Sequence, residues 1–119
     1  MDPERMLVNW LNANLDGATA YYEVPSPRPA AFATVALTGD SEPLETVRRP
    51  VLEVTCWAPE RAAARGMLDA CLEAVAAMPD EIEGVFHAAV AGRFRDRDPD
   101  SPAAGPWRYH AVVQLTIDE

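Results

Sequence analysis

The residue whose type and position most suggest chemistry is Cys56, in the stretch VLEVTCWAPERAAARGMLDACLEAV from Val51 to Val75. A cysteine where an apolar strand meets a helix start is one place for a nucleophile. A helix N-terminus, a cation or a histidine beside it lowers the thiol pKa and favours the thiolate. The histidines are His87 and His110. Cys56, however, shares its strand parity with Leu52 and Val54, and neither histidine stands on the apolar parity of its own strand. The residue therefore reads as a buried structural thiol, the usual state of free cysteine. Cys71, on the apolar stripe of the following helix, reads the same way.

Other constellations fail on spacing. In DRDPDS, Asp96, Asp98 and Asp100 alternate as the first three ligands of a calcium loop do, but Ser101 stands where that loop needs glycine. Trp107 stands where it needs its bidentate glutamate, and arginines separate the acids, so the segment reads as a solvated loop with local Arg–Asp pairing. Asp80, Glu81 and Glu83 crowd one turn and read as solvated carboxylates. No CxxC or HxxxH spacing, glycine-rich phosphate loop or GxSxG elbow occurs. The expectation is a chain that is not an enzyme, with no catalytic, cofactor-binding or metal-binding residues and no cofactor.

The elements that would position these residues belong, by length, to one domain spanning 1–119. With 49% hydrophobic and 24% charged residues the chain has the composition of a packed globular protein. Its 19 acidic and 10 basic residues, all the latter arginine, leave a net charge of −9. Such a surface repels a phosphate backbone at long range, which argues against tight nucleic-acid binding. The N-terminal MDPERMLVNWLNANL lacks the basic and unbroken apolar regions of a signal peptide, and no segment is long and apolar enough to span a bilayer. A cytosolic setting with reduced thiols is expected.

Asp2 to Leu15 reads as an amphipathic helix capped by Asp2, with Pro3 at its first position and Met6, Leu7, Trp10, Leu11 and Leu15 on one stripe. Ala20 to Val24 reads as an edge strand halted by PSPRP, and Ala31 to Leu37 as a second strand followed by a hairpin loop over Thr38 to Thr46. A third strand runs from Val47 to Trp57, with regular pairing starting after Pro50. Pro59 opens a second helix, ending near Met78, that presents Ala63, Met67, Leu68, Cys71, Leu72 and Val75, with Arg61 and Arg65 supported by acids such as Asp69. Val85 to Phe94 alternates with Phe86, Ala88, Val90 and Phe94 on one face, and a loop over Arg95 to Pro106 follows. Trp107 to Ile117 is the cleanest period-two segment, leaving Arg108, His110, Gln114 and Thr116 outward. The predicted architecture is α+β: a mainly antiparallel sheet of four to five strands with two helices packed on one face.

Interface-type residues remain. Trp57 lies on the polar parity of its strand, Tyr21 and Tyr22 are adjacent so that one must face out, and Arg48–Arg49 precedes Pro50.

The ordered combination of an N-terminal helix near DPE, a VP after the first strand, PVLEVTCWAP, ERAAARGML, a late DPD and a closing WRYHAVVQLTI resembles the tail terminator (tail-completion) proteins of long, non-contractile-tailed phages. The resemblance spans nearly the whole chain and carries no catalytic residue. It implies a virion structural subunit, assembled in the host cytoplasm, that joins copies of itself in a homo-hexameric ring at the head-proximal end of the tail. Its other partners would be the major tail tube protein and the head–tail connector protein, with genome DNA passing through the lumen without specific binding and no membrane involved. For subunit and tube contacts the reading of loops and composition points to Arg48, Arg49, Trp57, Arg93, Arg95, Arg97, Asp98 and Asp100, with the loops Thr38 to Thr46 and Arg95 to Pro106 projecting from the sheet. The alternatives are another head-to-tail connector or minor tail protein, a small enzyme using Cys56 and a histidine, and a monomeric binding module.

Overall fold

A computed structural model describes residues 2–40, 47–97 and 106–118. The elements are α1 (Pro3–Asn14), β1 (Ala20–Tyr21), β2 (Phe32–Gly39), β3 (Val47–Arg48), β4 (Val51–Ala58), α2 (Arg61–Glu81), β5 (Val85–Arg97) and β6 (Trp107–Asp118). The class is α+β, as the residue patterns predict, with two helices and a six-stranded mixed sheet. Four to five strands become six because the expected third strand divides at Pro50, which has no N–H for a ladder. The two-residue β1 pairs parallel to β2, and the other pairings are antiparallel.

Strand β6 organises the sheet. It pairs with β5 from Trp107 to Ile117, with β4 from Trp107 to Gln114, and with β3 at Ile117 and Asp118. Because β5 opposes both stretches, β3 continues the β4 side of β6, and the gap is bridged by Leu115 N–H donating to the Pro50 carbonyl at 3.0 Å. Among the described residues β5 is therefore an edge, with β6 as its partner.

Helix α1 starts as its sequence dictates: Arg5 N–H donates to the Asp2 carboxylate at 3.2 Å and Pro3 occupies the first turn. Its Leu7, Val8 and Leu11 enter the core. Polar side chains then fasten it: Trp10 Nε1 donates to the Ala74 carbonyl of α2 at 2.7 Å, Asn12 exchanges hydrogen bonds with the Ala20 backbone, and Glu4 accepts from Leu37 N–H at 2.8 Å.

Helix α2 starts at Arg61, two residues after Pro59, and passes Pro79 to end at Glu81. A proline in the last turn removes one donor, yet the helix closes beyond it because Ile82 N–H donates to the Met78 carbonyl at 2.8 Å and Met78 is anchored in the core. Its buried stripe is Ala64, Leu68, Cys71, Val75 and Met78, so Ala64 replaces the expected Ala63, which is exposed. These residues meet Ala33 and Val35 of β2, Leu52, Val54 and Cys56 of β4, and Ala111, Val113, Leu115 and Ile117 of β6 in one core, with both helices on the same sheet face. Burying a leucine there contributes roughly 1.5–3 kcal/mol.

Strand β5 departs from its expected alternation. Register shifts between Val85 and His87 and between Val90 and Gly92 change the parity twice. Val85 opposes Ile117 and is buried, whereas Phe86, Val90 and Phe94 are 58%, 43% and 49% exposed. The strand also extends to Arg97, so Arg95 to Arg97 belong to the sheet and not to the loop. Of the two projecting loops, residues 41–46 and 98–105 lie outside the described residues. No helix of the described residues is long and apolar enough to cross a membrane.

Candidate functional site

The strand-to-helix thiol lies in the core. Cys56 has no exposed surface, and its Sγ lies 3.6 Å from that of Cys71, both being free thiols. The hydrogen bond with Cys71, and then burial, push the Cys56 thiol far above its ordinary value, so it stays protonated at neutral pH. Neither histidine can relieve this. Cys56 opposes Tyr109 on the helix-covered face, His110 opposes Thr55 on the other, and His87 is exposed on β5.

That other face carries a polar network centred on His110. The imidazole faces outward from the helices, as its strand parity predicts, yet it is only 5% exposed. Parity places it on the outer face, and Phe94, turned to that face by the β5 irregularities, stacks on it with centroids 4.5 Å apart and planes 8° apart. Nδ1 lies 3.0 Å from Thr55 Oγ1 and 2.9 Å from Glu53 Oε1, and Nε2 lies 2.8 Å from Asp96 Oδ1. Asp96 also accepts two bonds from Arg108, at 2.8 and 2.6 Å, in a bidentate pair. These Arg108 bonds hold the Asp96 carboxyl below its usual range, with His110 adding to the effect against desolvation. A neutral imidazole has one N–H, so only the imidazolium donates to both flanking carboxylates at once. Both ring nitrogens are engaged within the sheet, and the network binds β4, β6 and β5 together. The carboxylates approach opposite ring nitrogens, and among the described residues no group of three His, Cys, Asp or Glu side chains is arranged to hold a metal ion.

The residues predicted from sequence to make contacts are scattered. Trp57 is not an exposed anchor: it is 6% exposed, edge-on to Phe32 with centroids 4.3 Å apart and under the Arg28 guanidinium at 5.3 Å. The outer face is closed there by a small aromatic cluster that Tyr21 joins, while its neighbour Tyr22 is exposed. Arg48 forms an ion pair with Asp40, and Arg49 is exposed between β3 and β4. Arg97 pairs by backbone with Trp107 at the end of β5, and Asp98 and Asp100 lie outside the described residues.

Arg93 and Arg95 are brought together, with two partners that sequence reasoning assigned to helix support. Arg61 and Arg65 of α2 face Arg95 and Tyr109 across a groove of about 430 Å³. An adjoining depression of about 340 Å³ is lined by Arg65, Arg93, Phe94, Arg95 and Tyr109. Asp69 pairs with Arg93 across this groove, and not with Arg65 along the helix as the spacing suggests. Arg95 stacks over Trp107 at 5.5 Å. Four of the ten arginines thus converge at one end of an otherwise acidic chain. The signal was present in the i, i+4 spacing of Arg61 and Arg65, but the partner strand that completes the groove is 28 residues or more away in sequence.

No protein-family model and no curated protein matches the chain.

Proposed function

We propose that this chain is a tail terminator: a phage structural subunit that closes into a ring on the head-proximal end of a tail tube, stops its polymerisation and offers the head connector a docking surface. The sequence resemblance supports this reading, and one structural observation carries it. Strand β5 is a 13-residue sheet edge bearing three exposed large apolar side chains, Phe86, Val90 and Phe94. Long open edges with exposed apolar residues invite pairing with another chain, and lone proteins blunt them. A ring of like subunits needs two different complementary surfaces on each, and the open β5 edge supplies one of them. With the Cys56 thiol held protonated and both nitrogens of His110 engaged in the sheet, the chain offers its surroundings shape and charge. The fixed sheet would give a ring the stiffness its end-capping role requires.

The test is tail assembly with and without this chain. With it, electron microscopy should find tails of uniform length that accept heads. Without it, tubes should overrun that length and remain headless. Uniform, head-competent tails in its absence would refute the assignment.

A further inference from the structure

We infer that the arginine groove receives the acidic corner of a second copy of this chain, so that copies associate head to tail. As a ring contact this rests on the tail-terminator reading, while the charge geometry stands independently of it.

Two ends of one helix–strand pair carry opposite charge. At the N-terminal end of α2, Arg61 and Arg65 face Arg95 and Tyr109, and Phe94 lines the adjoining depression. At its C-terminal end, Asp80, Glu81 and Glu83 are all exposed, and Phe86, the most exposed of the large apolar side chains, follows directly. Strand β5 runs back antiparallel to α2, as the Arg93–Asp69 ion pair across them requires. The 21 residues of α2, at about 1.5 Å each, separate the two ends by about 30 Å. A single molecule cannot bring them together. Two copies related by rotation can, and each such contact leaves another groove and another corner free, which is the heterologous geometry that closes into rings.

Charge selects a polypeptide carboxylate as the occupant. Arg61 and Arg65 form no ion pair among the described residues, whereas Arg93 is already matched by Asp69. Guanidinium groups accept carboxylates in bidentate fashion, and three acids on one turn present several at once. Phe86 beside them would lie against Phe94 and Tyr109, adding apolar contact to the polar rim.

The experiment is a charge swap read by sedimentation of the full chain. One variant carries Arg61→Glu and Arg65→Glu, a second carries Asp80→Arg, Glu81→Arg and Glu83→Arg, and a third carries all five. All five positions are exposed, and thermal melting confirms that each variant folds. Each of the first two alone should lose self-association at least tenfold. The third variant, and an equimolar mixture of the first two, should regain it, because groove and corner are again opposite in sign. Wild-type association that survives both reversals overturns the groove assignment and leaves the assembly reading standing. A wild-type chain that stays monomeric contradicts both. Oligonucleotide binding abolished by Arg61→Glu and Arg65→Glu, with self-association intact, would assign the groove to nucleic acid and overturn the inference.

Discussion

At the scale of single residues, two buried polar sites account for the side chains that invite a chemical reading. Cys56 and Cys71 share a hydrogen bond in the dry core, and a thiol so placed is a packing element. Labelling with a thiol reagent under native conditions should leave both cysteines unmodified until the chain unfolds; rapid native modification of Cys56 would reopen the nucleophile reading. Asp96 makes the opposite point, since its carboxylate is stabilised by Arg108 and His110. A carboxyl whose folded pKa is depressed contributes stability that is fully present above the ordinary aspartate value and is lost as pH falls through the folded value. Asp96→Asn should therefore be less stable than the wild type at neutral pH, with the difference in denaturant midpoint shrinking as both are acidified. A difference independent of pH would show that the carboxylate charge is not what matters. The cysteine reading was legible in sequence because Leu52, Val54 and Cys56 share one parity. His110 was not, because its partners come from β4 and from a β5 segment that the sequence presents as loop.

At the scale of elements, local signals succeeded where one residue type dictates the backbone and failed where tertiary pairing overrides it. Asp2 and Pro3 set the start of α1, and Pro50 divides the third strand, because capping and a missing donor are local effects. Pro79 did not end α2, since burial of Met78 and the Ile82 hydrogen bond outweigh the one donor it removes. A strict period of two fails on β5, where two irregularities turn Phe94 onto the outer face opposite His110 and leave Phe86 exposed. Trp57 keeps its outer parity, but Phe32 and Arg28 cover that face, which alternation along one strand cannot show. The turn that launches β5 depends on Gly84, which has φ 91° and whose carbonyl accepts from Asp118 N–H at 2.7 Å. That region of backbone space penalises a Cβ. Gly84→Ala should lower stability by about 1 kcal/mol or more in chemical denaturation, and an unchanged midpoint would mean the turn relaxes at no cost.

At the scale of the whole molecule, the α+β class and the placing of both helices on one sheet face followed from pattern, because helix stripes and strand alternation both demand a common core. The grouping of Arg61, Arg65, Arg93 and Arg95 did not follow, because a surface groove has no periodic signature and arises only when β5 folds back along α2. In the assembly we propose, copies of the same chain cover the exposed β5 edge and the charge-opposed ends of this subunit. The most direct measurement is the mass and shape of the purified chain at high concentration, by sedimentation and negative-stain electron microscopy together. Closed rings with an open centre, dissociating as salt is raised, are the predicted result. A monomer at every concentration, or a two-fold dimer with no central channel, would contradict it.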